Sequence, residues 1–217
     1  MKYVKKYQLL IYILFIICAS SIVLFKFLDI QRPKSIVIER KPIINSEIPT
    51  KEDLPTIDFE TLRKKYGNKD IKGAIRFDKT NFEKIVFQSK NNEYYFNHNY
   101  RGKKNGNEIF IDYRLNIDTS KVKIIYSKNI ELLKSYYDKD YYNEHKYIEL
   151  ETDKSIYKYE IISISNQDIE YNSFDVEKEL EKSFIKFNSE ISKDDEYLIF
   201  KTYINNDVIS IISKKVI

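Results

Sequence analysis

The sequence predicts a mainly β domain, a closed or nearly closed β-barrel with inserted helices, preceded by one N-terminal transmembrane helix. Three observations carry this reading. Beyond Asn68, apolar residues recur at period two in short runs rich in β-branched and aromatic side chains, the pattern of half-buried strands. Two longer stretches among those runs return to helical spacing. Ahead of them all, the 17 residues from Leu9 to Phe25 carry no charge.

Lys2, Lys5 and Lys6 precede that apolar run. As a helix the run rises about 26 Å, enough to cross a hydrocarbon core once Phe27 and Leu28 are counted. Basic residues before the span put residues 1–8 in the cytoplasm, 9–28 in the cell membrane as a single-pass anchor, and the remainder outside the cell. A cleaved signal peptide is the alternative, since Ala19, Ser20 and Ser21 are small. The apolar run continues past them through Ile22–Phe25, which favours an uncleaved signal anchor. Ile17 before Cys18 makes a poor lipoprotein cleavage site.

Residues 29–56 hold all four prolines and alternate polar with small apolar runs, as an extended stalk would. The domain proper is expected over 57–217. It opens with "TIDFETLRKKYGN", where Ile57, Phe59, Leu62 and Tyr66 lie at helical spacing before a stop at Gly67–Asn68. Strands are then expected at IKGAIRF, KIVFQS, EYYFNH, EIFIDYRL, VKIIYS, KYIELET, YKYEIISIS, EYLIFKTY and VISIISKKV. One helical stretch runs from Asn129 to His145. Another runs from Ser173 to Ile191, with Ser173 as cap and Val176, Leu180, Phe184 and Phe187 on one face. Many short strands with such insertions argue for a barrel.

Composition narrows the chemistry. The chain has 217 residues, 42% hydrophobic and 15% aromatic, enough for one sizeable core. Its net charge of +4 comes from Lys2, Lys5, Lys6 and Lys26, which leaves residues 29–217 formally neutral. A neutral domain lacks the basic footprint of nucleic-acid binding. Cys18 is the sole cysteine and lies in the expected span, so the exported part has no disulfide, thiol nucleophile or cysteine ligand.

"DKDYYNE" from Asp138 resembles an acidic calcium loop but lacks its turn glycine and closing bidentate Glu, and reads as a solvated helix end. His98 and His145 stand far apart and read as polar loop residues rather than metal ligands. The glycines, at 67, 73, 102 and 106, fall singly and form no phosphate loop. Nothing singles out a catalytic carboxylate pair among 33 acids. No metal or cofactor is expected.

"NNEYYFNHNYRGKKNGNEIFIDYRLN", "KIIYSKNI", "YYDKDYYNEHKYIELETDKSIYKYEI" and "EYLIFKTY" follow one another in an order and phrasing that resemble the class B sortases, membrane-anchored cysteine transpeptidases of Gram-positive surfaces. The resemblance covers about three quarters of the chain and implies a sortase-type closed β-barrel. It also implies a cysteine nucleophile, a histidine acid/base and an oxyanion-steadying arginine. Carried over position by position, these fall on Tyr203, Lys128 and, allowing for a short turn, near Val208. All three are replaced.

The replacements cannot run thiol chemistry. A phenol with a pKa near 10 is a poorer nucleophile for amide cleavage than a thiol near 8.5. Val208 offers no donor to an oxyanion, and losing such a donor costs about 3 kcal/mol. The resemblance therefore implies a catalytically inactive, sortase-like surface protein with no catalytic residue. Its former groove, around Lys128, Asn129, Thr202 and Tyr203, would hold a sorting-signal peptide, a pilin or an active sortase in cell-wall protein or pilus assembly. A second reading has the Ser173–Ile191 helix docking another membrane protein. The enzymatic alternative is a class B sortase transpeptidase anchoring surface proteins to the cell wall.

Overall fold

A computed structural model describes residues 2–31, 35–40, 56–104, 106–170, 174–187, 190–205 and 207–216. The chain divides into two compact units, Met1–Val37 and Ile38–Ile217. In the first, one continuous helix, α1, spans Lys2–Gln31. Ser20 and Ser21 both donate their hydroxyls back to the Ile17 carbonyl. Among the described residues no helix is long and apolar enough to cross a membrane. The helix expected over 9–28 is therefore present, while a membrane span is not supported.

The second unit is built from α2 (Phe59–Tyr66), β1 (Ile71–Phe77), β2 (Glu83–Phe87), α3 (Glu93–Asn97), β3 (Ile109–Ile111), β4 (Val122–Lys128), α4 (Leu132–Ser135), α5 (Lys139–Glu144), β5 (Tyr147–Thr152), β6 (Ile156–Ser165), α6 (Val176–Lys182), β7 (Ile185–Lys186), β8 (Tyr197–Ile204) and β9 (Asp207–Lys215). Eight strands close a ring in the order β1, β2, β3, β4, β8, β9, β6, β5 and back to β1. The β2–β3 and β4–β8 pairings are parallel and the rest antiparallel. Along β6, Ile156–Glu160 pairs with β5 and Ser163–Ile164 with β7. The mainly β, closed-barrel expectation is met.

Local chemistry explains where the sequence expectations fail. EYYFNH, expected as a strand, is α3, because the Asn91 side chain accepts the Tyr94 amide and starts a helical turn. This helix buries Tyr95 against Phe87, so tertiary packing overrides the strand propensity of its aromatics. EIFIDYRL yields only the three residues of β3. The Asp112 side chain folds back onto the Arg114 amide and guanidinium, which turns the chain out of the ladder.

The helix expected over Asn129–His145 splits into α4 and α5. Asp138 caps the second by accepting the Asp140 and Tyr141 amides. The helix expected over Ser173–Ile191 is confined to α6, capped by Asp175, and Ser173 lies outside the described residues. At Ser183 the chain becomes extended and Phe184 is 70% exposed. Period two then outcompetes helical spacing, as Ile185 joins β7 and Phe187 stacks on Tyr142.

Of the expected stalk, 32–34 and 41–55, with all four prolines, lie outside the described residues. Arg40 pairs with Ile57 and donates to Glu151, which also accepts the Thr56 and Ile57 amides. The compact unit thus begins before the expected boundary at 57. Gly73 allows β1 to approach this region closely, since a Cβ there would lie 2.5 Å from the Glu151 carbonyl oxygen.

The barrel interior packs Phe200 edge-to-face against Phe77 at 5.4 Å and Phe82 at 6.2 Å. Phe200→Ala is expected to cost about 3–5 kcal/mol in chemical denaturation, with transfer and cavity contributions combined. The buried Asp112 accepts from Arg114, Asn92 and Tyr126. Burial pushes its carboxyl up, but these donors outweigh burial and hold it lowered to about 2. Its contribution is complete above the unfolded pKa near 4 and is lost as pH falls through about 2. Acid unfolding of Asp112→Asn should therefore lack a component of about 2 kcal/mol that the parent shows over that window.

Candidate functional site at the ends of three strands

β4 and β8 run side by side in parallel register from Val122↔Tyr197 to Lys128↔Tyr203. β9 returns along β8 with Tyr203 opposite Val208. One row across three strands therefore carries Lys128, Tyr203 and Val208. The pairing continues one step further, as the Asn129 amide donates to the Tyr203 carbonyl at 3.0 Å. Asn129 takes a left-handed φ of 55°, a conformation asparagine tolerates better than most residues. The Ile130 amide then donates to Thr202 Oγ1 at 3.1 Å. Thr202 is fully buried, so its hydroxyl ends the ladder instead of facing a groove.

Tyr203 is partly covered by Phe96 of α3, whose ring meets it edge-to-face at 5.4 Å. Lys128 Nζ sits 3.7 Å from the centroid of that same Phe96 ring, a cation–π contact. The Tyr203 phenol donates to both carboxylate oxygens of Asp168, at 3.1 and 3.2 Å. Burial first, and the Asp168 charge second, raise the Tyr203 phenol well above its ordinary pKa. At neutral pH the group is a neutral hydrogen-bond donor and not a phenolate nucleophile.

A depression of about 380 Å³ opens beside the β8–β9 hairpin, lined by Lys134, Tyr137, Asn166, Asp207, Val208 and Ile209, among others. Of the residues carried over from the resemblance, only Val208 lines it. Lys128 and Tyr203 instead pack against Phe96, with Asp168 on the Tyr203 hydroxyl, while Asn129 is exposed and Thr202 buried.

Two residues central to this surface escape the sequence reading. Lys201, inside EYLIFKTY, is 1% exposed. Its ammonium pairs with Asp168, donates to the Ile169 carbonyl at 2.8 Å, and lies over the Tyr126 ring at 4.8 Å. A lone lysine within an otherwise apolar strand is the signal that could have marked it. Asp168, in a polar connection, offers no such signal. His98 and His145 hold local structure, their Nδ1 atoms 3.0 Å from the Tyr94 and Asp78 carbonyl oxygens. Among the described residues no group of three or more His, Cys, Asp or Glu is placed to hold a metal ion.

No family model matches the chain. Sortase B of Listeria monocytogenes is 34% identical over 105 residues, 45% of this chain and 43% of that protein. Sortase B of Staphylococcus aureus is 28% identical over 162 residues, 69% of this chain and 61% of that protein. The matches thus span less than two thirds of these relatives. Among solved structures, Staphylococcus aureus sortase B superposes with a TM-score of 0.66 at 22% identity, covering 76% of this chain and 88% of that one. Listeria monocytogenes sortase B gives 0.60 at 25% identity, covering 70% and 97%. A sortase B complexed with triglycine gives 0.62 at 22% identity, covering 73% and 85%. The barrel has the fold of these sortase B structures.

Proposed function

We propose that this protein is a sortase-like surface protein that binds a peptide without cleaving it. The observation that carries the reading is Tyr203, at the end of β8 where the resemblance places a cysteine. Its phenol is donated to Asp168 and its pKa is raised. The only sulfur nucleophile in the sequence is Cys18 in α1, so residues 38–217 have nothing to form a thioester. Lys128 lies on Phe96, and the Val208 side chain carries no hydrogen-bond donor.

The peptide part of the proposal is supported by the sortase B complexed with triglycine, and by the open depression beside Val208. A sorting-signal peptide, or a pilin segment bearing one, is the ligand class proposed. We further propose that α1 holds the chain at a cell membrane with the barrel outside. The support for this is the uncharged run Leu9–Phe25 behind three lysines.

Two measurements test these statements. Calorimetric titration of the full chain with sorting-signal peptides should show saturable heat. A fluorogenic sorting peptide should show no cleavage above background, and Tyr203→Phe should leave that background unchanged. Cleavage that Tyr203→Phe abolishes would instead establish the transpeptidase reading. For the anchor, the expressed chain should sediment with membranes after an alkaline wash and enter the detergent phase. Recovery in the aqueous phase would exclude it.

A further inference from the structure

The contact between Lys201 and Asp168 is lopsided. The Lys201 side chain is 2% exposed, whereas that of Asp168 is 53% exposed. The ammonium is fixed inside the barrel wall and its counterion sits on a surface strap. That strap, Gln167 to Ile169, lies across β8 and β9. Ser210 Oγ donates to the Gln167 carbonyl at 2.9 Å, Lys201 Nζ to the Ile169 carbonyl at 2.8 Å, and Ile169 is buried. The Asp168 carboxylate receives two converging donors, the Lys201 ammonium and the Tyr203 hydroxyl.

A buried ammonium is costly to leave unpaired, whereas exchanging one carboxylate for another preserves its charge pairing and hydrogen bonds. Asp168 can therefore be replaced by an incoming carboxylate but not simply withdrawn. Resting on the peptide-binding reading above, we infer that Lys201 and Tyr203 form a carboxylate subsite beside the depression at Val208. The chain's own Asp168 occupies this subsite, and a carboxylate of the bound peptide displaces it. The strap then acts as an internal competitor. It weakens binding by the inverse of the fraction of molecules in which it is open, and it selects for peptides that bring a replacement anion.

The carboxylate can come from an acidic side chain or from a chain end, and the test separates the two. The full chain and its Asp168→Asn variant are titrated with three probes. One is an acetylated, amidated pentapeptide with a central aspartate. The second is its asparagine counterpart. The third is an alanine pentapeptide with a free C-terminal carboxylate. At least one carboxylate peptide should bind the variant at least tenfold more tightly than the parent, and the asparagine peptide at least tenfold more weakly than its aspartate partner if the side chain is the source. Equal affinity of parent and variant for both carboxylate peptides overturns displacement. Equal binding of all three peptides overturns the subsite while the groove reading stands.

If no peptide binds either protein, the groove reading falls and the subsite is decided by stability. The Asp168→Asn variant should melt below the parent in sodium chloride and recover in sodium acetate at matched concentration. A variant that folds only in acetate gives the same answer. An unchanged midpoint, or equal behaviour in both salts, overturns the subsite.

Discussion

The parallel pairing of β4 with β8 is the constraint on which the rest of the domain depends. Seven consecutive registered pairs, from Val122↔Tyr197 to Lys128↔Tyr203, join strands far apart in sequence. Without that seam the ring would open into a sheet running from β4 back through β1, β5, β6 and β9 to β8. The seam also determines which side chains share a surface. Period two along β8 sends Phe200 inward to Phe77 and places Lys201 and Tyr203 on the opposite face, beside Tyr126 and Lys128. A slip of one residue would exchange an aromatic core contact for a buried ammonium.

The seam carries two buried lysines, and the fold accommodates each differently. Lys123, near the start of β4, donates to the Ser120 carbonyl at 2.6 Å and pairs with Glu196 at 3.3 Å. Burial lowers its pKa, with Glu196 pulling the other way. Glu196 is shared with Lys215 and lies directly before β8, so this pair belongs to the wall itself. Lys201 takes its anion from the connection between β6 and α6 instead. One pair is internal to the sheet, and the other links the sheet to a surface segment.

Most of the barrel was legible in the sequence because period-two runs report sheets buried on at least one face. IKGAIRF, VKIIYS and EYLIFKTY occupy β1, β4 and β8 nearly to the residue. What was not legible depended on single polar side chains. Asn91 converts an aromatic run into α3, and Asp112 cuts β3 short by binding Arg114. The row of Lys128, Tyr203 and Val208 was reachable through resemblance alone, since no local pattern marks it. Asp168 was beyond reach because its partners Lys201 and Tyr203 lie more than thirty residues away and meet it only through the fold. Phe96, expected in a strand, covers Tyr203 only because its segment is helical.

Ring closure also bears on how such a chain behaves at high local concentration. Isoleucine- and tyrosine-rich strands are natural templates for intermolecular sheet growth when an edge is open. Here β6 exchanges its β5 partner for β7 partway along its length, so among the described strands only the two-residue β7 has one whole side unpaired. Two residues, one of them Lys186, offer too short and too charged a ledge for a neighbouring molecule to extend. Crowded copies can thus lie side by side without fusing into a common sheet.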